Sequence, residues 1–168
     1  MNQKQKGASS IMTVVFWLLF MASLTLFFSG FIERQQNPNL GLSVVGTEGS
    51  ELVLKRNRAG HYVAPGLING YEVTFLLDTG ATQVSVPERV ANRAGLQPGR
   101  QVMVGTANGV VAVYDTTIET IQLGHIQMQQ VGANINPHMH DDLVLLGMSF
   151  MRDLEMTQRD GTLTLRLP

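Results

Sequence analysis

Cysteine is absent from all 168 residues, which excludes disulfide bonds and thiol chemistry. That absence suits an oxidising compartment, where a stray thiol risks mispairing, without identifying one. Charge is also scarce. Only 15% of residues are Asp, Glu, Lys or Arg, and 12 basic against 13 acidic residues leave a net charge of −1. Beyond residue 32 the balance is 10 basic to 13 acidic, with no basic patch, so a nucleic-acid surface is not expected. No repeat of solenoid period occurs. What remains is a chain of one-domain length, 44% hydrophobic, with material for a real core.

Part of that apolar content sits in one run, "IMTVVFWLLFMASLTLFF", Ile11 to Phe28, without a single charge. As a helix it comes close to the length of a bilayer core, and Gly30 to Ile32 extend it. Lys4 and Lys6 precede it, which orients the N-terminus to the cytoplasm and the remainder to the other side. A cleaved signal peptide is the rival reading. Its apolar stretch is usually about 7–15 residues and ends in a small-x-small site, whereas here bulky residues follow in "LTLFFSGFIE". No helical period shows a polar face, so a soluble core helix fits less well. The expected organisation is a cytoplasmic N-terminus and transmembrane anchor over 1–32, a linker over 33–50 rich in Gln, Asn, Gly and Ser, and a folded domain over 51–168.

From Glu51 onward, short β-patterned runs alternate with turn signals. "HYVAPGLI" and "YEVTFLL" flank Asn69-Gly70, and "LEMTQR" and "TLTLRL" flank Asp160-Gly161. Both dipeptides favour two-residue hairpins, whose central positions need positive φ. "VVAVYDTTIETIQL" and "IQMQQVGA" also read as strands. Only two soluble helices are expected, "PERVANRAGL" with Pro87 in its first turn and Gly95 as its stop, and "MSFMRDL" from Met148 to Leu154. The fold class is therefore all-β, a small barrel or sandwich with two short helices, preceded by the transmembrane helix.

One stretch breaks the ordinary pattern. In "VTFLLDTGATQVSV", Val73 to Val86, a carboxylate follows directly on Phe75, Leu76 and Leu77. An ionised side chain is costly to bury unless paired or hydrogen-bonded. Asp78 is thus either a turn residue facing water or a group with a task. Gly80 removes side-chain bulk so that backbone or substrate can approach, and Thr79 can reach a neighbouring loop. Asp-Thr-Gly alone is weak evidence, since Asp and Gly are ordinary turn residues. Downstream, "LVLLGMSF", Leu143 to Phe150, supplies two large apolar residues, then Gly147, then a short helix.

Together, "LLDTGAT" and "LVLLGMSF" resemble the retropepsin-like aspartic proteases, specifically their bacterial membrane-anchored branch, over about residues 59–168. The resemblance implies an acid-protease barrel in which Leu145, Leu146 and Gly147 lie beneath the catalytic loop. It implies Asp78 as the catalytic residue, Thr79, Gly80 and Gly147 as support of its loop, and Ala81 and Thr82 along the substrate path. Viral members often carry an Asp where Thr82 stands. A flap hairpin is implied over "VMVGTANGVVAV", with Gly105, Thr106, Ala107 and Asn108 at the substrate; an ordinary hairpin is the plain alternative. The family's chemistry uses two carboxylates, yet no second Asp-Thr-Gly occurs here, so the matching acid is expected from another copy of the chain.

The resemblance further implies an aspartic-type endopeptidase, a homodimer acting on protein or peptide substrates, needing no cofactor or metal, held in the inner membrane through residues 11–32 with its domain in the periplasm. The terminal "TLTLRLP" is expected to pair with its hairpin mate or with the other subunit. Residues 33–58 have no counterpart in the resemblance, so the interface sheet is free to differ. A non-catalytic peptide-binding or dimerisation module on the same fold is the alternative. "NPHMHDD", Asn136 to Asp142, also spaces His138 and His140 so that zinc ligation beside Asp141 or Asp142 is conceivable.

Overall fold

The structure is a computed structural model and describes residues 4–42, 51–106 and 109–168, without the side chains of 4–10 and 33. The chain divides into two compact units, Met1–Gln36 and Asn37–Pro168. The first is one helix, α1, Lys4–Gln36. Its apolar side chains from Ile11 to Ile32 are exposed, Trp17 at 56% and Leu26 at 74% among them. One helix, over Ile11–Gln36, is therefore long and apolar enough to cross a membrane, by length and composition.

The second unit begins with a turn rather than open linker. α1 runs to Gln36, past the boundary expected at residue 32, and Asn37 and Asn39 immediately after it are buried. The Asn39 carboxamide donates to the carbonyls of Lys55 and Val63 at 2.9 and 2.8 Å and accepts the Lys55 N–H at 2.8 Å. Composition marks this stretch as linker because Asn and Pro are turn formers. The turn they form is fastened to two strands, and the remaining linker positions, 43–50, lie outside the described residues.

Ten strands follow. β2 (Val63–Ile68) and β3 (Tyr71–Leu77) form a hairpin around Asn69-Gly70, whose φ values of 50° and 79° are those the dipeptide is suited to adopt. β8 (Leu143–Leu146) lies between β3 and β4 (Val84–Pro87), parallel to the first and antiparallel to the second. β4 continues to β7 (Ile126–Asn136), β7 to β6 (Gly109–Leu123), and β6 returns to β2 through Leu67–Gln122 and Ile68–Ile121. That last pairing closes a six-stranded ring, which removes its free edges. β5 (Gln101–Thr106) hangs outside the ring as the partner of β6.

Strand alternation fills the ring. Phe75, Val84, Val86, Ile118, Ile121, Val144 and Leu146 have no solvent exposure. Two helical turns, α2 (Glu88–Arg93) and α3 (Met148–Met151), are shorter than the sequence suggests. Pro87 ends β4 with ψ 140° and caps α2 from outside instead of sitting in its first turn.

A second sheet joins β1 (Glu51–Lys55), β10 (Thr162–Arg166) and β9 (Glu155–Arg159) in that order. β10 is its central strand. The terminal run pairs on both sides within its own chain, and among the described residues the unpaired edges belong to β1 and β9.

Candidate active site

The positioning of Asp78 starts with the insertion of β8 between β3 and β4. Leu76 and Leu77 stand beside Leu145 and Leu146, and the Asp78 N–H continues the ladder to the Leu146 carbonyl at 3.1 Å. The chain then turns. The Gly80 N–H donates to Asp78 Oδ1 at 2.9 Å, and the Ala81 N–H donates to the Asp78 carbonyl at 3.2 Å. Asp78 is half-buried, while Thr79 and Gly80 are exposed, and the Thr79 hydroxyl makes no hydrogen bond among the described residues.

The floor under this turn is α3. The Met148 N–H donates to the Ala81 carbonyl at 2.8 Å, the Ser149 N–H to the Thr82 carbonyl at 3.0 Å, and Ser149 Oγ accepts the Val84 N–H at 3.0 Å. This approach leaves no space at Gly147. A β-carbon there would lie 2.6 Å from the Gln83 carbonyl carbon and 2.7 Å from the Ala81 oxygen. Since Gly147 has φ −88°, glycine is required here for contact and not for conformation. Gly80 is less constrained, since a β-carbon there would sit 3.2 Å from Asp78 Oδ1 alone.

Facing the turn is the β5–β6 hairpin, paired from Gln101–Tyr114 out to Thr106–Gly109, with Thr106 Oγ1 donating to the Gly109 carbonyl at 2.8 Å. The expected tip residues Ala107 and Asn108 lie outside the described residues. Gly80, Ala81, Thr82 and Gln83 from the turn and Val104, Gly105 and Thr106 from the hairpin line one cleft of about 370 Å³. Its remaining wall is Leu145 and three residues that the sequence reading does not single out, Ser85, Asn134 and Asn136. A signal for the last two was present. In "GANIN", Asn alternates with apolar residues at strand period, which puts both carboxamides on the face away from the core.

The residues around His138 go elsewhere. His138 and His140 are exposed, and Asp142 is taken by Arg89 at 2.7 Å and Arg93 at 3.6 Å. The Tyr71 hydroxyl, and then Asp142, hold the Arg93 guanidinium above its ordinary pKa. No trio of His, Asp or Glu suited to a metal occurs among the described residues.

A family model described as "gag-polyprotein putative aspartyl protease" matches residues 64–153, from β2 to the end of α3 and just beyond. The chain belongs to the retropepsin-like aspartic protease family. Two bacterial relatives are uncharacterised. One, from the region 5′ of cobV in Sinorhizobium sp., is 33% identical over 134 residues, covering 77% of this chain and 58% of its own length. The other, from Rickettsia prowazekii (strain Madrid E), is 26% identical over 111 residues, covering 62% and 46%. The chain thus spans about half the length of these relatives. The crystal structure of a retropepsin-like aspartic protease from Rickettsia conorii matches with a TM-score of 0.58 at 24% identity, covering 70% of this chain and 90% of that one. At that identity the match establishes the family's fold, an all-β barrel with few helices.

Proposed function

We propose that this chain is an aspartic endopeptidase whose catalytic pair forms when two copies bring their Asp78 side chains together. The observation that carries the reading is the state of the single Asp-Thr-Gly turn. Its acid is half-buried and fixed from below, while Thr79 and Gly80 beside it are uncovered. Two carboxylates about 3 Å apart cannot both ionise, and aspartic proteases are the type case of such a pair sharing one proton. One carboxylate accepts a proton from the water held between them as that water attacks the peptide carbonyl. The other, protonated, donates to the carbonyl oxygen, and the leaving nitrogen is protonated as the tetrahedral intermediate collapses. Thr79, with its hydroxyl unengaged, is placed to bond across the same two-fold. Gly147 keeps both turns level by letting α3 sit against them.

The substrate is a peptide in extended form, running between the turn and the β5–β6 hairpin. Thr82 and Gln83 also line a second cleft of about 650 Å³ with Met128, Gly132 and Arg152, which lengthens the path. β10 pairs with β1 and β9 within its own chain, so the turn itself and an edge of β1 or β9 are taken as the dimer contacts. The apolar helix is read as an uncleaved inner-membrane anchor, with residues 51–168 as the protease domain on the periplasmic side. Confinement to a plane raises effective concentration and favours pairing.

The test is subunit mixing. Wild-type and Asp78→Asn chains, separately tagged and co-purified as mixed dimers in detergent, should cleave no peptide that the wild-type dimer cleaves. Mixed dimers with half the wild-type activity would mean that one Asp78 suffices, and the shared pair would be wrong.

A further inference from the structure

The cleft beside the Asp-Thr-Gly turn has a polar wall where a barrel of this kind could have an apolar one. Val84 and Val86 fill the core, so alternation turns Ser85 to the opposite face of β4, in register with Asn134 on β7 and Leu145 on β8. Ser85 Oγ donates to Asn134 Oδ1 at 2.8 Å. Two residues along β7, Asn136 Oδ1 accepts the His138 N–H at 2.9 Å, which fixes that carboxamide and leaves its Nδ2 as the free end. Neither Asn134 Nδ2 nor Asn136 Nδ2 has an acceptor among the described residues, although the two residues keep only 6% and 8% of their exposure. Both line the cleft with Gly80, Ala81 and Thr82. Neither amide group is itself cut off from water, since among the described residues the buried side-chain atom without a partner is the Tyr62 hydroxyl. Both amides therefore open into the cleft, where a substrate acceptor would replace that water.

We infer that Ser85, Asn134 and Asn136 form the subsite for a substrate side chain next to the scissile bond, and that it selects neutral side chains bearing an acceptor oxygen, such as Asn, Gln, Ser or Thr. This rests on the protease reading and adds a substrate class to it. An aliphatic side chain would seal both amide groups away from water with nothing to bond, and a site built to hydrogen-bond rejects such analogues strongly. Asp115, in register with Asn134 on β6, puts a carboxylate on the same face and disfavours an acidic side chain. Leu145 supplies the apolar side of the pocket, against which the side chain's methylenes pack.

The experiment compares peptide pairs that differ only by Asn against Leu at each position flanking the cut, using the full-length chain in detergent. The wild type is expected to favour Asn by at least about tenfold in kcat/KM at one position. Ser85→Val with Asn134→Leu removes both members of a hydrogen-bonded pair at once, a change that cores tolerate, and should abolish or invert that preference. A wild type that cleaves Leu peptides equally well or better overturns the subsite and leaves the protease standing. Should no peptide be cleaved, the protease reading is what suffers. The subsite is then decided by fluorescence anisotropy of the same labelled peptides, where Asn-selective binding lost in the double variant upholds it and equal or absent binding overturns it.

Discussion

Two turns in this protein are made from aspartate and glycine, and they are put to different uses. Asp160-Gly161 joins β9 to β10 with φ values of 48° and 77°, and Asp160 is exposed. There the residues serve the backbone, since few others adopt that pair of angles. At Asp78-Thr79-Gly80 no residue has positive φ. The turn is held instead by the Leu146 carbonyl, by α3 beneath it and by its own Gly80 N–H. Backbone geometry does not demand an acid at position 78. On the proposed function the same two residue types are conformational in one place and chemical in the other, and the packing around them makes the difference.

The largest expected effect comes from changing the chemistry and nothing else. Asp78→Asn preserves the oxygen that accepts from Gly80, so the fold should melt within a few degrees of wild type. Peptidase activity should fall by about a thousandfold or more, as for the loss of a catalytic acid–base group. Thermal melts and peptide turnover on the same preparation check both halves. Retained turnover would reduce Asp78 to a turn residue like Asp160.

The next effect tests what holds the turn. Gly147→Ala drives a methyl into the backbone of Gln83 and Ala81 and should cost about 3 kcal/mol, the upper range for overpacking. Gly161→Ala meets no neighbour but must adopt φ +77°, and should cost about 1 kcal/mol. Chemical denaturation of the two variants ranks them. An equal cost would mean that the Gly147 contact relaxes easily. Between these lies Asn39→Ala, which leaves the Lys55 N–H and two carbonyls without their partner and should cost about 2 kcal/mol. If residues 37–42 were free linker, it would cost nothing.

How much could be read from sequence follows from the range over which each feature is decided. The Asn69-Gly70 and Asp160-Gly161 hairpins were legible because a two-residue turn is settled by its own residues. That the apolar run makes one helix long and apolar enough to cross a membrane was legible from its length and composition. Leu145-Leu146-Gly147 beneath Asp78 came through resemblance, since nothing local in "LVLLG" states which strand it joins. Features set by register between distant segments were not legible. Ser85 meets Asn134 across 49 positions, Asn39 meets Val63 across 24, and β2 meets β6 only because the ring closes. The helices came out short for a related reason. Helical spacing in "PERVANRAGL" is real, but β4 needs Pro87 for its pairing with Asn136, and tertiary pairing overrides local propensity.

The smallest effect is expected from repeating the first substitution in the other turn. Asp160→Asn removes a charge from an exposed site and keeps a side chain that tolerates the left-handed region at least as well as aspartate. No ion pair to Asp160 exists among the described residues, so electrostatics offer little to lose. Stability should change by no more than about 0.5 kcal/mol, the usual range for such surface changes, and peptide turnover should stay within about twofold of wild type. Because Asp→Asn is then chemically identical at the two positions, any gap between the variants measures context alone. A large loss of turnover in Asp160→Asn would tie the β9–β10 turn to the active site through the subunit interface, and would place that turn at the two-fold.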